Sequence, residues 1–435
     1  MYKRQGSKSD LLSCFTTLYP DNVPDVSTVV VDTYVLDGAV IVQMSSLGCC
    51  KTFSDYRDKV FIPFVLSHLK KAKRVDVVFD VYHTASLKTA CREKRGTGIR
   101  TRVLSDTKIP SNWQQFLHVD ENKQELFSFL AEGSFKATEG EVVVTRGDQA
   151  NCLAGDVEIS SISPCNHEEA DTRMLLHCWH ASQCGSKKLA IRTVDTDVVV
   201  LAIFCYQQLN VNELWIHFGV GKNVRLLPVH AISKTLGPKM CQAMPIFHAL
   251  TGCDTVSSFF GKGKRSAWEA WKSYPAVTDA FNNLYSATEH SGIDPSTVRV
   301  LERFIVVMYD RTSECTDLDA ARKFLFTKKT KSLDSLPPTS AAFVQHLKRA
   351  VYQAVLCWSN SLKRNVESHD PSHWGWSKDG SRWVPFWSTL PEVSECSREL
   401  IHCWCKKGCT GRCKCVRANL VCTALCHCDG ECNRN

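Results

Sequence analysis

Three short runs of β-branched and other apolar residues stand out in the first half of the chain. They lie at residues 27–43 (STVVVDTYVLDGAVIVQ), 74–79 (RVDVVF) and 188–194 (KLAIRTV). Such runs predict buried β-strands. Each strand finishes on an acid, namely Asp37, Asp80 and Asp195, and the first is followed by a glycine and an apolar run that suits a helix. The pattern therefore predicts the strand-to-helix units of an α/β domain.

The pattern becomes helical beyond residue 290. In residues 340–358 (SAAFVQHLKRAVYQAVLCW) the apolar positions follow the 3.6-residue period of an amphipathic helix, which predicts a stripe that packs in a core. These positions are Phe343, Val344, Leu347, Val351, Ala354, Val355 and Trp358. Between Asp80 and Glu169 lies a polar, basic insertion that contains a second predicted helix, ENKQELFSFLAE.

A tryptophan-rich segment follows the helical region. Residues 366–395 contain Trp374, Trp376, Trp383 and Trp387. We expect an arm that packs on the preceding domain, and the alternative is a surface on which nucleic-acid bases stack. The predicted division of the chain is a lead at 1–29, an α/β domain at 30–290, a helical extension at 291–365, the arm at 366–395 and a cysteine module at 396–435.

Composition limits the class of protein. The chain has 435 residues, 44% hydrophobic and 23% charged, which is typical of a globular protein with more than one folded unit. The longest wholly apolar run, residues 198–205, is far too short for a membrane span, and the N-terminus does not resemble a secretory signal. We expect a nuclear or cytosolic protein that is not secreted. The net charge of +8 permits a polyanionic partner without requiring one.

Carboxylates recur after the predicted strands and at predicted helix starts. The set comprises Asp37, Asp80, Glu169 with Asp171, Asp195 with Asp197, and Asp254. Each acid alone is typical of a turn or a helix cap. Crowded negative charge is unfavourable unless cations neutralise it, and oxygen ligands favour Mg²⁺ or Mn²⁺. Two such ions, roughly 4 Å apart, can promote phosphodiester cleavage.

The order of these motifs resembles the flap endonuclease family of structure-specific nucleases. The shared motifs are V-L-D-G, V-F-D, E-A-D before a helix, T-V-D-T-D after a strand, and T-G-C-D before G-K-G-K-R, and they cover residues 30–290. The resemblance implies a PIN-like domain with a parallel-rich central sheet. It also implies that the seven acids bind two Mg²⁺ or Mn²⁺ ions, with Asp37 preferred over Asp32, and that the extreme N-terminus lies near the active site.

The resemblance also implies DNA-contacting residues. A helix-hairpin-helix-like turn would hold duplex phosphates through Gly261, Lys262, Gly263, Lys264 and Arg265, although the family commonly has a proline where Lys264 stands. Lys88 and Arg95 match the family's catalytic lysine and arginine on its arch helices, with a one-residue shift from Asp80. They would contact the reacting phosphate.

The C-terminal cysteines form a dense module. In a reducing compartment, 23 cysteines favour metal ligation over disulfides wherever they cluster. Nine thiolates suffice for three tetrahedral zinc ions if three of them bridge. These are Cys403, Cys405, Cys409, Cys413, Cys415, Cys422, Cys426, Cys428 and Cys432, whereas Cys396 has no assigned role.

This module resembles a tesmin-type CXC domain, a zinc-binding DNA-contact unit. Lys406, Lys407 and Arg412 give it a basic rim that suits phosphates. The module departs from the family because Arg412 stands where a tyrosine is common and one gap is shorter. A protein-docking or purely structural zinc knot therefore remains an alternative.

The sequence predicts a divalent-metal-dependent nuclease. It would hydrolyse phosphodiester bonds in branched or single-strand-ended DNA, and the CXC module would tether it to DNA or chromatin. One alternative is a catalytically inactive DNA-binding or adaptor protein derived from a mobile element. Another is an RNA-directed PIN nuclease.

Overall fold

A computed structural model describes residues 7–19, 23–25, 28–82, 86–87, 98–136, 139–327, 335–380, 382–386, 388, 402–405, 409–417, 420–422 and 425–428. No helix formed by these residues is long and apolar enough to cross a membrane.

A mostly parallel sheet of seven strands forms the centre of the fold. The strands are β1 (Thr33–Asp37), β2 (Arg74–Val78), β3 (Glu141–Arg146), β4 (Gln149–Ala154), β5 (Lys188–Thr193), β6 (Glu213–Phe218) and β7 (Arg225–Pro228). Their order is β4-β3-β2-β1-β5-β6-β7, and β4 and β7 pair antiparallel at the two edges. The α/β class and the three strands predicted from the apolar runs are confirmed.

Helices cover both faces of this sheet. They are α1 (Asp10–Phe15), α2 (Gly38–Met44), α3 (Phe53–Tyr56), α4 (Ile62–His68), α5 (Trp113–Leu117), α6 (Asp120–Ala131), α7 (Ala170–Gln183), α8 (Thr196–Cys205), α9 (Val229–Leu250), α10 (Lys264–Ser273), α11 (Val277–Asn283), α12 (Pro295–Tyr309), α13 (Leu318–Thr327), α14 (Ser340–Val351) and α15 (Lys414–Arg417). A π-helical turn, Arg57–Phe61, joins α3 to α4, and another, Tyr352–Cys357, continues α14.

Alternation along the strands divides the apolar residues between two cores. In β1, Val35 faces one core, whereas Tyr34 and Leu36 face the other, because successive side chains of a strand point to opposite faces. The first core also contains Phe304 of α12 and Phe343 of α14. The predicted helical extension therefore packs directly onto the helices that cover the sheet.

The tryptophan-rich segment forms a small hairpin. Its strands are β8 (Trp376–Asp379) and β9 (Arg382–Pro385), which pair antiparallel. Trp374 and Trp376 are buried, as expected for an arm that packs on the preceding domain. The guanidinium Nη1 of Arg349 in α14 donates a hydrogen bond to the carbonyl of Gly375 at 2.9 Å, which fixes the hairpin to that helix.

The strand order has a reversal beside β1. The chain runs outward from β1 through β2 to β3 on one side, and then returns to the other side of β1 through β5 and β6. In open parallel sheets, ligands bind outside the carboxyl ends of the strands at such a switch point. The fold therefore favours a site at the carboxyl ends of β1, β2 and β5.

Candidate metal centre

The acids predicted from the sequence come from three adjacent parallel strands. Asp37 ends β1, Asp80 follows β2, and Asp195 follows β5. Parallel neighbours present their carboxyl ends at the same edge of a sheet, so the three acids share the edge beside the switch point. We call this edge, with Glu169, Asp171, Asp197 and Asp254, the acid site.

Asp37 is a buried acid at the carboxyl end of β1. Its Oδ1 accepts a hydrogen bond from the amide of Val40 at 3.0 Å, which caps α2, and its Oδ2 accepts one from the hydroxyl of Thr193 at 3.3 Å. Burial, followed by the nearby charge of Asp80, raises the pKa of Asp37 to about 7. Asp32 lies at the opposite end of β1, where its carboxylate accepts hydrogen bonds from the backbone amides of Lys187 and Lys188.

Asp80 links β2 to the start of α7. Its Oδ1 accepts a hydrogen bond at 2.9 Å from the amide of Ala170, the first residue of that helix. Glu169 is the residue that precedes the helix, and Asp171 lies in its first turn. Together with the hydrogen bond from the amide of Val81 to the carbonyl of Glu168 at 2.8 Å, this contact brings the E-A-D motif to the end of β2.

Asp195 and Asp197 converge by a helix cap and not by strand alternation. In an extended segment, residues two positions apart would lie on one face, but Asp197 is already in the first turn of α8. The Oδ1 atom of Asp195 accepts a hydrogen bond from the amide of Asp197 at 2.8 Å. Burial and the charge of Asp197 hold the pKa of Asp195 above its ordinary value, although Lys8 opposes the shift.

Three of the carboxylates are close enough to share a cation. Oxygen atoms of Asp171, Asp195 and Asp197 all lie within 4.8 Å of one another, so the group could hold a metal ion. Its oxygen ligands suit hard divalent cations.

Lys8 already places a positive charge in the acid site. Its Nζ lies 2.8 Å from Asp195 Oδ1, 3.3 Å from Asp197 Oδ1 and 3.0 Å from Asp254 Oδ1. Burial lowers the pKa of Lys8, but the three carboxylates outweigh this effect and hold the pKa above its ordinary value. The ammonium thus occupies a position that a bound cation would otherwise suit.

A short helix anchors Lys8. In α1, Leu11, Leu12 and Phe15 are fully buried. The ring of Phe15 makes an edge contact with Trp268 of α10, with centroids 5.8 Å apart. Residues 7–15 therefore form part of the folded structure beside the acid site, although the sequence suggested only a lead.

Lys264 differs from the sequence expectation. It is only 2% exposed, and its Nζ donates hydrogen bonds to the carbonyl of His248 at 2.5 Å and to the hydroxyl of Thr251 at 2.8 Å. Burial lowers the pKa of Lys264 to about 7. A side chain that is held inside the turn in this way does not present its charge to DNA, so Lys264 is a structural residue of the turn.

The other residues of the glycine-rich turn lie nearer the surface. Gly261 is exposed with φ of 68°, and Gly263 precedes α10. The Nζ of Lys262 donates to the carbonyl of Tyr309 at 3.3 Å, and the guanidinium Nη2 of Arg265, an exposed residue, donates to Ser13 at 3.1 Å. The turn closes one side of a cavity of about 320 Å³ that is also lined by Lys8 and Asp254.

The cysteine module brings its thiols together. The sulfur atoms of Cys403, Cys409 and Cys422 lie 3.5 to 3.9 Å apart, and those of Cys415 and Cys426 are 3.6 Å apart. A tetrahedral zinc ion holds sulfur atoms about 3.8 Å apart, given Zn–S bonds of about 2.3 Å. Three sets of four thiols could each hold a metal ion: 403/409/422/428, 403/413/415/422 and 403/405/409/413.

Several predicted residues cannot be placed. Lys88, Arg95, Lys406, Lys407 and Cys432 lie outside the described residues, as does Cys396. Arg412 is described and exposed, beside the buried thiol of Cys413.

The sequence interpretation missed two residues of the acid site. His248 is fully buried, and its Nε2 lies 2.9 Å from Asp197 Oδ1. The only local sequence feature that indicates a role for His248 is its position three residues before the T-G-C-D motif. No feature of the local sequence indicates a role for Lys8, although the resemblance to flap endonucleases implied that the N-terminus lies near the active site.

No protein-family model matches the chain, and no curated protein is significantly similar to it.

Proposed function

We propose that the protein is a divalent-metal-dependent nuclease that hydrolyses phosphodiester bonds in branched or single-strand-ended DNA. The observation that carries the proposal is the convergence of Asp171, Asp195 and Asp197 at the switch point of a parallel sheet, with oxygens within 4.8 Å of one another.

The donor set fits two Mg²⁺ or Mn²⁺ ions. Asp171, Asp195, Asp197 and Asp254 would hold one side of the pair, whereas Asp37, Asp80 and Glu169 would hold the other. When bound, such ions activate water and stabilise the leaving oxygen of a phosphodiester. The protein itself orients the carboxylates through helix caps and the Asp80–Ala170 contact.

The turn and the cysteine module would supply the contacts to DNA. Lys262 and Arg265 flank Gly263 and Lys264, which line the cavity next to Asp254, and their charges would attract phosphates. Lys88 and Arg95 keep their proposed contact with the reacting phosphate. The cysteine cluster would bind about three Zn²⁺ ions and, through Arg412, Lys406 and Lys407, tether the enzyme to DNA or chromatin in the nucleus.

The test is cleavage of a panel of labelled flap, nicked and single-stranded DNA and of RNA, with Mg²⁺ or Mn²⁺. We expect cleavage of branched DNA that the double substitution Asp195→Ala/Asp197→Ala abolishes. Asp58→Ala, which removes a carboxylate that is 53% exposed, is the matched control and should leave cleavage unchanged. Equal cleavage by the wild type and the double variant would exclude the mechanism, and cleavage restricted to RNA would favour an RNA-directed nuclease.

The zinc assignment has a separate test. Cys409→Ser should lower the zinc content of the purified protein, because the Cys409 thiol belongs to two of the three candidate sets. Cys49→Ser is the control, since that thiol is exposed outside the module. Unchanged zinc content in Cys409→Ser would remove this thiol from the ligand set.

The second candidate function is a non-catalytic DNA-binding or adaptor protein. One observation favours it: Lys8 already partly neutralises the acid site from within the protein. This candidate predicts zinc in the module, DNA binding without cleavage, and no Mn²⁺ binding at the acids.

A further inference from the structure

A second and larger cavity adjoins the acid site. Its volume is about 680 Å³, within the range of roughly 300–1,000 Å³ that is typical of small-molecule sites. Glu169 and Thr255 form part of its wall, and Thr255 directly follows Asp254. A ligand in this cavity would therefore lie next to whatever the acid site binds.

Aromatic rings from separate segments line the cavity. Tyr352 and Trp358 belong to the π-helical and 3₁₀ turns that follow α14, whereas Trp383 comes from the hairpin. The Nζ of Lys378 lies 5.0 Å above the ring of Trp383. Since Arg349 fixes the hairpin to α14, the wall is preformed and not a chance groove.

The charges around the cavity disfavour an anion. Its wall includes the carboxyl groups of Glu168, Glu169 and Asp370, against the ammonium of Lys378. A phosphate would be repelled, whereas a flat, neutral ring with hydrogen-bonding groups fits the aromatic rings and the polar side chains of the wall. A nucleobase has these properties.

The cavity is also in physical contact with the acid site. The ring of Trp358 stacks on that of His248, with centroids 5.9 Å apart and 28° between the planes. His248 in turn contacts Asp197. Trp358 thus connects the wall of this cavity to His248 and, through His248, to Asp197.

We propose that this cavity binds one unpaired nucleobase of the DNA strand, next to the nucleotide whose phosphate lies at the acid site. The inference rests on the proposed nuclease function and adds a specific base subsite to it. The phosphate would remain at the acid site and the base would enter between the rings of Trp383 and Tyr352.

The test is an abasic scan. The full chain is titrated, in Ca²⁺ to prevent turnover, with labelled flap DNA that carries one abasic residue at each successive position of the single strand, and affinity is read by fluorescence anisotropy. We expect one position at which the missing base weakens binding about ten-fold, the usual scale of one stacked base. Trp383→Ala should weaken binding of intact flap DNA by a similar factor and should lose this sensitivity.

Two further variants control for folding. Phe386→Ala removes a ring of the same segment that is 45% exposed, and it should behave like the wild type. Trp383→Phe keeps a stacking ring and should restore most of the sensitivity. A uniform response along the strand, or retained sensitivity in Trp383→Ala, would overturn the base subsite alone. If the wild type fails to bind any flap DNA, the nuclease proposal falls with it.

Discussion

The Nε2 atom of His248 lies 2.9 Å from the Oδ1 atom of Asp197, and both side chains are almost completely buried. Burial lowers the pKa of His248 to about 4, so the ring is neutral near pH 7. Nε2 must then carry the hydrogen and donate it to the carboxylate. His248 is therefore a positioning residue, since it orients Asp197 without adding a positive charge that would oppose a bound cation.

Substitution of His248 by leucine should weaken divalent-cation binding about ten-fold, which is the usual loss when a supporting hydrogen bond to a ligand is removed. Mn²⁺ titration followed by electron paramagnetic resonance measures this directly. His217→Leu in β6 is the control, because His217 is also buried but lies in the sheet. If both substitutions lower the affinity equally, the effect is general destabilisation and not orientation of Asp197.

Substitution of Lys8 by methionine should have the opposite effect. A divalent ion bound by Asp195, Asp197 and Asp254 would have to displace the Lys8 ammonium or remain beside its charge. Removal of that charge should therefore tighten Mn²⁺ binding by about ten-fold or more. Lys59→Met, which alters a lysine that is 61% exposed, should leave Mn²⁺ binding unchanged. Weaker binding by Lys8→Met would show that Lys8 supports the site instead.

Gly252→Ala should destabilise the segment that carries Asp254. Gly252 has φ of 110°, and a Cβ there would lie 2.9 Å from Cβ and 3.0 Å from Cα of Ser258. We expect the free energy of unfolding to fall by about 3 kcal/mol, measured by urea denaturation. Gly261→Ala is the matched control, since Gly261 also has a positive φ of 68° but open space around it. Its cost should be nearer 1 kcal/mol, and equal costs would show that the contact with Ser258 is unimportant.

Stability should decrease in mild acid. Burial lowers the pKa of His217 and of His346 to about 4, from the ordinary value of 6.5. Between these values the unfolded chain binds protons that the folded protein excludes, so the free energy of unfolding falls as the pH falls through this window. Each histidine contributes at most about 1.4 kcal/mol per pH unit.

Urea denaturation between about pH 7 and pH 5 tests this relation. His346→Gln should show a shallower loss of stability on acidification than the wild type, because one buried histidine no longer takes up a proton on unfolding. His290→Gln, at an exposed position, should retain the slope of the wild type. An unchanged slope in His346→Gln would mean that His346 is already protonated in the folded protein.

The sequence by itself determined three strands of the sheet, β1, β2 and β5, and the place of several acids. Parallel strands buried on both faces need continuous apolar residues, so β1 and β5 are visible as apolar runs that finish on Asp37 and Asp195. The cysteine spacing likewise predicted a cluster that could hold metal ions, because its ligands are close together along the chain. Apolar runs and cysteine spacings involve residues that are close together along the chain, so they can be read directly from the sequence.

Only the tertiary structure decided which charges meet. Lys8 contacts Asp195, which is 187 positions away, and Asp254, which is 246 positions away, and no periodicity relates such residues. Lys264 belongs to a basic run that was expected to contact DNA phosphates, yet its side chain turns inward to the carbonyl of His248 and the hydroxyl of Thr251 at the end of α9. The cavity beside Glu169 exists because the hairpin docks on α14. Burial and long-range packing, and not residue type alone, set the partners of these charges and rings.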